Sequence, residues 1–150
     1  DKNIFALNPK NILSVRLVNE QGKNSSFAIK NISGKLTLFD FQNKQTKTQQ
    51  ETLFSYLNLF QNINCETFKT ENVRVKLKES KKLYSLIVAH QNGVDSLIIY
   101  QMRDKDRPKT EAEKYTVERM YAVLNSGDVM LIQNYVFNKL LITIDELKGE

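Results

Sequence analysis

TKTQQETLFSYLNLFQNIN (Thr46–Asn64) is the one stretch of this chain whose period is unmistakably helical. Thr48 and Glu51 have Thr-x-x-Glu spacing, the capping box in which two side chains satisfy orphan amides of a first helical turn. Leu53, Leu57 and Phe60, flanked by Tyr56 and Ile63, recur at spacings of three and four and form one apolar stripe. Nearly everything outside this stretch alternates with period two. The combination predicts a single α+β domain over 1–150, a mainly antiparallel sheet of about seven or eight strands covered by helices.

Upstream, Leu13, Val15 and Leu17 alternate with Ser14, Arg16 and Val18, the pattern of a half-buried strand over Ile12–Val18. Ser26–Lys30 returns it, Ser33-Gly34 turns the chain, and Leu36–Phe41 gives a third strand. Downstream, Val73–Leu77 alternates cleanly and Leu83–Ala89 answers it. Asn92-Gly93 has the composition of a type I′ hairpin turn, which needs positive φ at both central residues. Ser96–Met102 follows as a strand. Lys114–Leu124 fits both periods, but the turn Asn125-Ser126-Gly127-Asp128 and the strand Val129–Gln133 favour a hairpin. Phe137, Leu140, Leu141, Ile144 and Leu147 then predict a second helix over Asn134–Lys148, with Gly149 at its end. The expected order is βββ-α-βββββ-α.

Val15-Arg16-Leu17 and Val73-Arg74-Val75 echo each other, as do Ala28-Ile29 and Leu86-Ile87. A duplicated hairpin-plus-helix unit over 12–64 and 72–148 produces such an echo. So does independent selection of half-exposed strands.

Composition narrows the function. Hydrophobic content of 41% and charged content of 26% are those of an ordinary globular domain. No apolar run reaches the roughly 18 residues of a membrane span. Asp1 in place of an initiator Met suggests a processed or excised product whose signal or lipid anchor lies upstream. The chain has a single Cys, so no internal disulfide forms. Net charge is +5, which leaves a basic module for an anionic polymer or nucleic acid as an alternative, but the basic residues are dispersed. Their densest group, Lys76, Lys78, Lys81 and Lys82, includes Glu79 and reads as a solvated hairpin. Turns draw on 15 Asn, because Gly and Pro together supply only seven residues. Asn24-Ser25-Ser26 and Asn31-Ile32-Ser33 are sequons that matter only in a glycosylating pathway.

The chemistry-bearing residues do not converge. His90 is the only imidazole, expected at the rim of a hairpin, and no Gly-x-Ser-x-Gly elbow supplies a nucleophile. One His and one Cys are too few for a four-ligand zinc site. Asp104-Lys105-Asp106 is the only paired-carboxylate motif of note, and Arg103, Lys105, Arg107 and Lys109 neutralise it. That loop, Arg103 to Arg107, is the candidate binding surface. No phosphate loop is present, and the strand aromatics Phe39, Phe41, Tyr84 and Tyr100 lack the interleaving of a nucleic-acid face. The tail aromatics Tyr115, Tyr121, Tyr135 and Phe137 are expected to pack under the second helix. An enzyme acting on glycans through carboxylates alone would draw on Glu66, Glu71, Glu79, Asp95, Asp104, Asp106 and Asp128.

Ile12-x-x-Val15-Arg16-Leu17, the return strand, the Leu53-Phe54-x-x-Leu57 helix and Tyr121-Ala122-x-Leu124 together resemble envelope domains of Gram-negative anaerobes, often lipoproteins or accessory parts of transporter clusters. The resemblance spans most of the chain at the level of pattern and composition. It implies an exported or membrane-anchored domain, located in the periplasm or outside the cell. Its expected role is binding or scaffolding without enzymatic activity. Its expected partner is a protein or other envelope component rather than nucleic acid, and no cofactor is implied.

Overall fold

A computed structural model describes residues 2–66, 77–102 and 119–149. Its centre is an eight-stranded antiparallel sheet ordered β10-β9-β8-β7-β2-β3-β4-β5. One half is the meander β2 (Ile12–Asn19), β3 (Phe27–Ile32), β4 (Lys35–Asp40) and β5 (Gln45–Thr46). The other is β7 (Lys82–His90), β8 (Gly93–Gln101), β9 (Arg119–Leu124) and β10 (Val129–Gln133). The halves join where β2 pairs with β7, Val15 opposite Val88 and Leu17 opposite Leu86. A small ribbon pairs β1 (Lys2–Phe5) with β6 (Ile63–Cys65). The α+β class and the antiparallel sheet agree with the sequence pattern.

Period two decides which side chains are buried. Val15, Leu17, Phe27, Ile29, Leu38, Leu86, Val88, Leu97, Ile99, Ala122 and Ile132 all point to one face and lie in one core. Helix α1 (Gln50–Asn58) covers that face with Leu53, Tyr56 and Leu57, joined by Phe60 from the 3₁₀ turn that follows. The stripe identified in sequence is thus wholly buried. Tyr56 stands edge-on to Phe27 at 5.5 Å and to Phe60 at 5.8 Å, and donates its hydroxyl to the Leu140 carbonyl at 2.7 Å. Burial pushes the Tyr56 phenol far above its ordinary pKa, so the hydroxyl stays a donor.

Both helices are shorter than their periodicity predicts. Thr46 is taken into the sheet, paired with Leu38, so α1 starts at Gln50 and its N-cap is Gln49 without a side-chain cap bond. The Thr48/Glu51 box does not form. At the other end, Leu59–Gln61 tightens to 3₁₀ and Asn62 turns extended, freeing Ile63–Cys65 to pair with β1. The second helix splits into α2 (Asn134–Phe137) and α3 (Ile144–Lys148). The β-branched run Ile142-Thr143-Ile144 weakens a helix, and Thr143 becomes an N-cap instead. Its hydroxyl accepts from Glu146 N while Glu146 returns a bond to Thr143 N. Gly149 closes α3 at φ 79°, the left-handed geometry that favours glycine.

The hairpin turns also depart from expectation. His90 pairs with Gly93, so the β7–β8 loop is Gln91-Asn92, and neither residue has positive φ. The positive pair is Ser33-Gly34, φ 53° and 85°, a type I′ turn joining β3 to β4. Of Lys114–Leu124, the part Arg119–Leu124 is strand; 114–118 lie outside the described residues. The predicted strand Val73–Leu77 lies outside them except for Leu77, whose carbonyl accepts from Ser80 in a turn.

An open sheet face and three surface grooves

The second face of the sheet carries Ser14, Arg16 and Val18 from β2, Ala28, Lys30 and Ile32 from β3, and Thr37 and Phe39 from β4. From the other half come Ser85, Ile87 and Ala89 of β7 and Val94, Ser96 and Ile98 of β8. Register aligns them in rows, Phe39–Ala28–Arg16–Ile87–Ser96 and Thr37–Lys30–Ser14–Ala89–Val94. Ile32, Ile87 and Val94 are 50%, 41% and 56% exposed. Ala28 and Thr37 are buried between their neighbours, and the β8–β10 end of this face has its own core, where Met102, Tyr121 and Val129 are buried with Leu77, Tyr100, Val123 and Leu131 against them.

Among the described strand residues the charged ones on this face are Arg16, Lys30, Lys35 and, at the β9 end, Arg119. Lys30 holds its ammonium 4.7 Å over the Phe39 ring, a cation–π contact that also shields the ring. Glu20 at the rim is neutralised by Lys82 at 3.6 Å and Lys23 at 3.9 Å and accepts from Ser85 at 2.8 Å.

Two neighbouring grooves flank α1: one of about 370 Å³ between β4, β5 and the start of α1, and one of about 610 Å³ between α1, Pro9-Lys10 and the β3–β4 turn. They share Leu36 and Gln50. The Gln50 amide lies alongside β4 like a strand: its oxygen accepts from Leu36 N at 2.9 Å and its nitrogen donates to Leu36 O at 2.6 Å.

A third groove of about 410 Å³ lies between β6, β10 and α2, lined by Asn62, Asn64, Glu66, Gln133, Tyr135 and Val136. Arg119 clamps the Glu66 carboxylate with bonds of 2.8 and 3.4 Å, and Gln133 adds one of 3.4 Å. The Arg119 bond and charge hold the Glu66 carboxyl below its ordinary pKa, against a smaller effect of burial. Asn3 ties the two asparagines together, donating to both side-chain oxygens.

The sequence candidates fall in scattered places. Arg103, Asp104, Lys105, Asp106 and Arg107, like Glu71, Tyr115 and Lys76, lie outside the described residues. His90 is largely covered rather than exposed. Its Nε2 meets Asp95 at 3.0 Å and its Nδ1 accepts from Asn92 N at 3.2 Å. Both ring nitrogens are therefore engaged, in an arrangement that fixes the hairpin. Cys65, the single cysteine, is buried in β6. Asp128 sits in the β9–β10 turn with Ser126, and each of the three grooves is lined by one carboxylate at most, Glu51 or Glu66. Among the described residues, no three His, Cys, Asp or Glu side chains gather to hold a metal ion. Phe137 packs in the main core as expected, whereas Tyr121 is buried on the other face of the sheet with Met102 and Val129, and Tyr135 is 61% exposed and forms one wall of the third groove. Sequence reasoning missed that groove because its polar residues come from segments 50 to 70 positions apart.

No family model, curated protein or solved structure matches the chain.

Proposed function

We propose that this chain is a binding or scaffolding domain without enzymatic activity, part of an exported or membrane-anchored protein, that holds another envelope protein against its open sheet face. The observation that carries this is the exposure of three aliphatics on that face, Ile87 and Val94 on the neighbouring strands β7 and β8 and Ile32 on β3, with Arg16, Lys30 and Lys35 among them. Isolated apolar residues on a surface are ordinary, whereas an aliphatic patch rimmed by polar groups marks an interaction site. The basic strand residues Arg16, Lys30 and Lys35 favour a partner with an apolar centre and acidic flanks, since opposed charge steers encounter and fixes register. The envelope setting rests on the resemblance to exported anaerobe domains.

A photo-crosslinking amino acid at position 87 or 94, in cells that make the protein, is expected to yield a discrete protein adduct. The same probe at exposed Lys139, on the opposite side, should not. An Arg16→Glu change should reduce the adduct. Equal labelling at 87, 94 and 139, or none at 87 and 94, would sink the proposal.

A further inference from the structure

We propose that the groove between β6, β10 and α2 is a second, independent site that binds a neutral pyranose sugar. Its charges cancel: Glu66 is matched by Arg119 across 2.8 Å, so neither an anion nor a cation finds an unbalanced partner there. What remains is hydrogen-bonding capacity. The Asn62 and Asn64 oxygens are occupied by Asn3, which leaves their NH₂ groups to donate. Glu66 has about four acceptor positions, of which Arg119 and Gln133 use three. Gln133 retains its amide oxygen. A set mixing fixed donors and fixed acceptors suits hydroxyl groups, because each hydroxyl donates once and accepts twice.

The site is also built to stay in place. Glu66 exchanges both main-chain bonds with Leu131 of β10, at 2.9 and 3.3 Å, and its side chain is clamped at both oxygens. Such preorganisation reduces the ordering cost of binding. Tyr135 supplies an exposed ring with a polar tip, a surface on which the apolar C–H face of a pyranose can lie. The volume of about 410 Å³ is within the span of small-ligand sites. A single, ion-paired carboxylate provides for holding a sugar rather than cleaving it, since hydrolysis usually takes two.

The test is titration of the uniformly labelled protein with glucose, galactose and N-acetylglucosamine, followed by amide chemical shifts, with sodium sulfate and methylammonium chloride as charged comparisons. At least one sugar is expected to shift Asn62, Asn64, Glu66, Gln133 and Tyr135 saturably, with Kd on the order of 1–10 mM. Tyr135→Ala should weaken binding about tenfold while Tyr135→Phe, which keeps the ring, should retain most of it. The amide spectrum of each variant reports folding in the same experiment. Absence of saturable shifts with all three sugars overturns the proposal. So do shifts that map elsewhere, unchanged affinity in Tyr135→Ala, or saturation of the same residues by sulfate at lower concentration. None of these outcomes bears on the open sheet face, whose residues lie in other rows of the sheet.

Discussion

Replacing Gln50 by Ala removes the side chain that closes the edge of β4. Because β5 is only two residues long, it pairs with Leu38 and Phe39 and leaves Leu36 beyond its reach. The Gln50 amide takes up both outward main-chain groups of Leu36. Each such bond contributes about 0.5–1.5 kcal/mol net. Both are solvent-exposed, so water replaces part of the loss and a total near 1 kcal/mol is expected. For a domain of this size that is a fall in Tm of roughly 2–4 °C. Ala is the better helix former, by a few tenths of a kcal/mol, so any effect on α1 itself acts in the opposite direction. Gln50→Glu keeps an acceptor for Leu36 N but has no donor for Leu36 O, and should lose about half as much. Thermal unfolding by circular dichroism gives the magnitude, and hydrogen exchange at the Leu36 amide gives the location. In Gln50→Ala that amide should lose protection, and sedimentation should show more self-association, as an unguarded strand edge invites pairing. Unchanged Leu36 protection with unchanged Tm would refute the idea that this side chain acts as a substitute strand.

Tyr56→Phe leaves the Leu140 carbonyl without its buried donor and should cost about 1–3 kcal/mol in a denaturant titration; a loss below about 0.3 kcal/mol would contradict the packing described. Thr143→Ala removes one bond of the capping box and should cost about 1 kcal/mol, with fraying confined to α3 by hydrogen exchange. The Glu66 carboxyl is held below its ordinary value of 4.5 in the folded protein. Its contribution to stability is therefore full above that value and fades as pH falls through the lower folded pKa. Urea midpoints across acid pH should show this slope in the parent and a shallower one in Glu66→Gln; identical slopes would count against the Arg119 clamp.

How much of the fold was legible follows from which forces are local. Alternation in Ile12–Val18, Leu83–Ala89 and Val129–Gln133 located strands to within a residue or two, because burial on one face imposes period two wherever the strand sits. The stripe Leu53, Tyr56, Leu57 and Phe60 was legible for the same reason. Helix ends were not. Thr48-x-x-Glu51 and Thr143-x-x-Glu146 are the same motif, and only the second caps a helix. The difference is tertiary: Thr46 gains a pairing with Leu38, which carries the backbone past Thr48 in an extended path. The Gln91-Asn92 loop likewise follows from where β7 and β8 register, which the dipeptide Asn92-Gly93 alone does not encode.

Site residues were less legible, because a site depends on what long-range pairing brings together. Glu66 was one carboxylate in a pool of seven until β10 delivered Gln133 and β9 delivered Arg119 to it. The same bridge bears on the proposal that a partner uses the sheet face rather than a sheet edge. At one edge, Glu66 takes both main-chain groups of Leu131. At the other, Gln50 takes Leu36, β5 takes Leu38, and the Lys44 carbonyl takes Asp40 N. Strand addition needs unpaired main-chain groups in a row, and these contacts interrupt the row at both ends. A partner of the proposed kind is then expected to meet side chains, and among the described residues of that face the exposed aliphatics are Ile87 and Val94 on the neighbouring strands β7 and β8, with Ile32 on β3. An Ile87→Lys, Val94→Lys pair should therefore abolish partner binding while leaving the unfolding midpoint within about 0.5 kcal/mol of the parent, whereas Gln50→Ala should weaken the fold and leave partner binding intact. The reverse pattern would mean that the partner adds to the edge and that the open face is only surface.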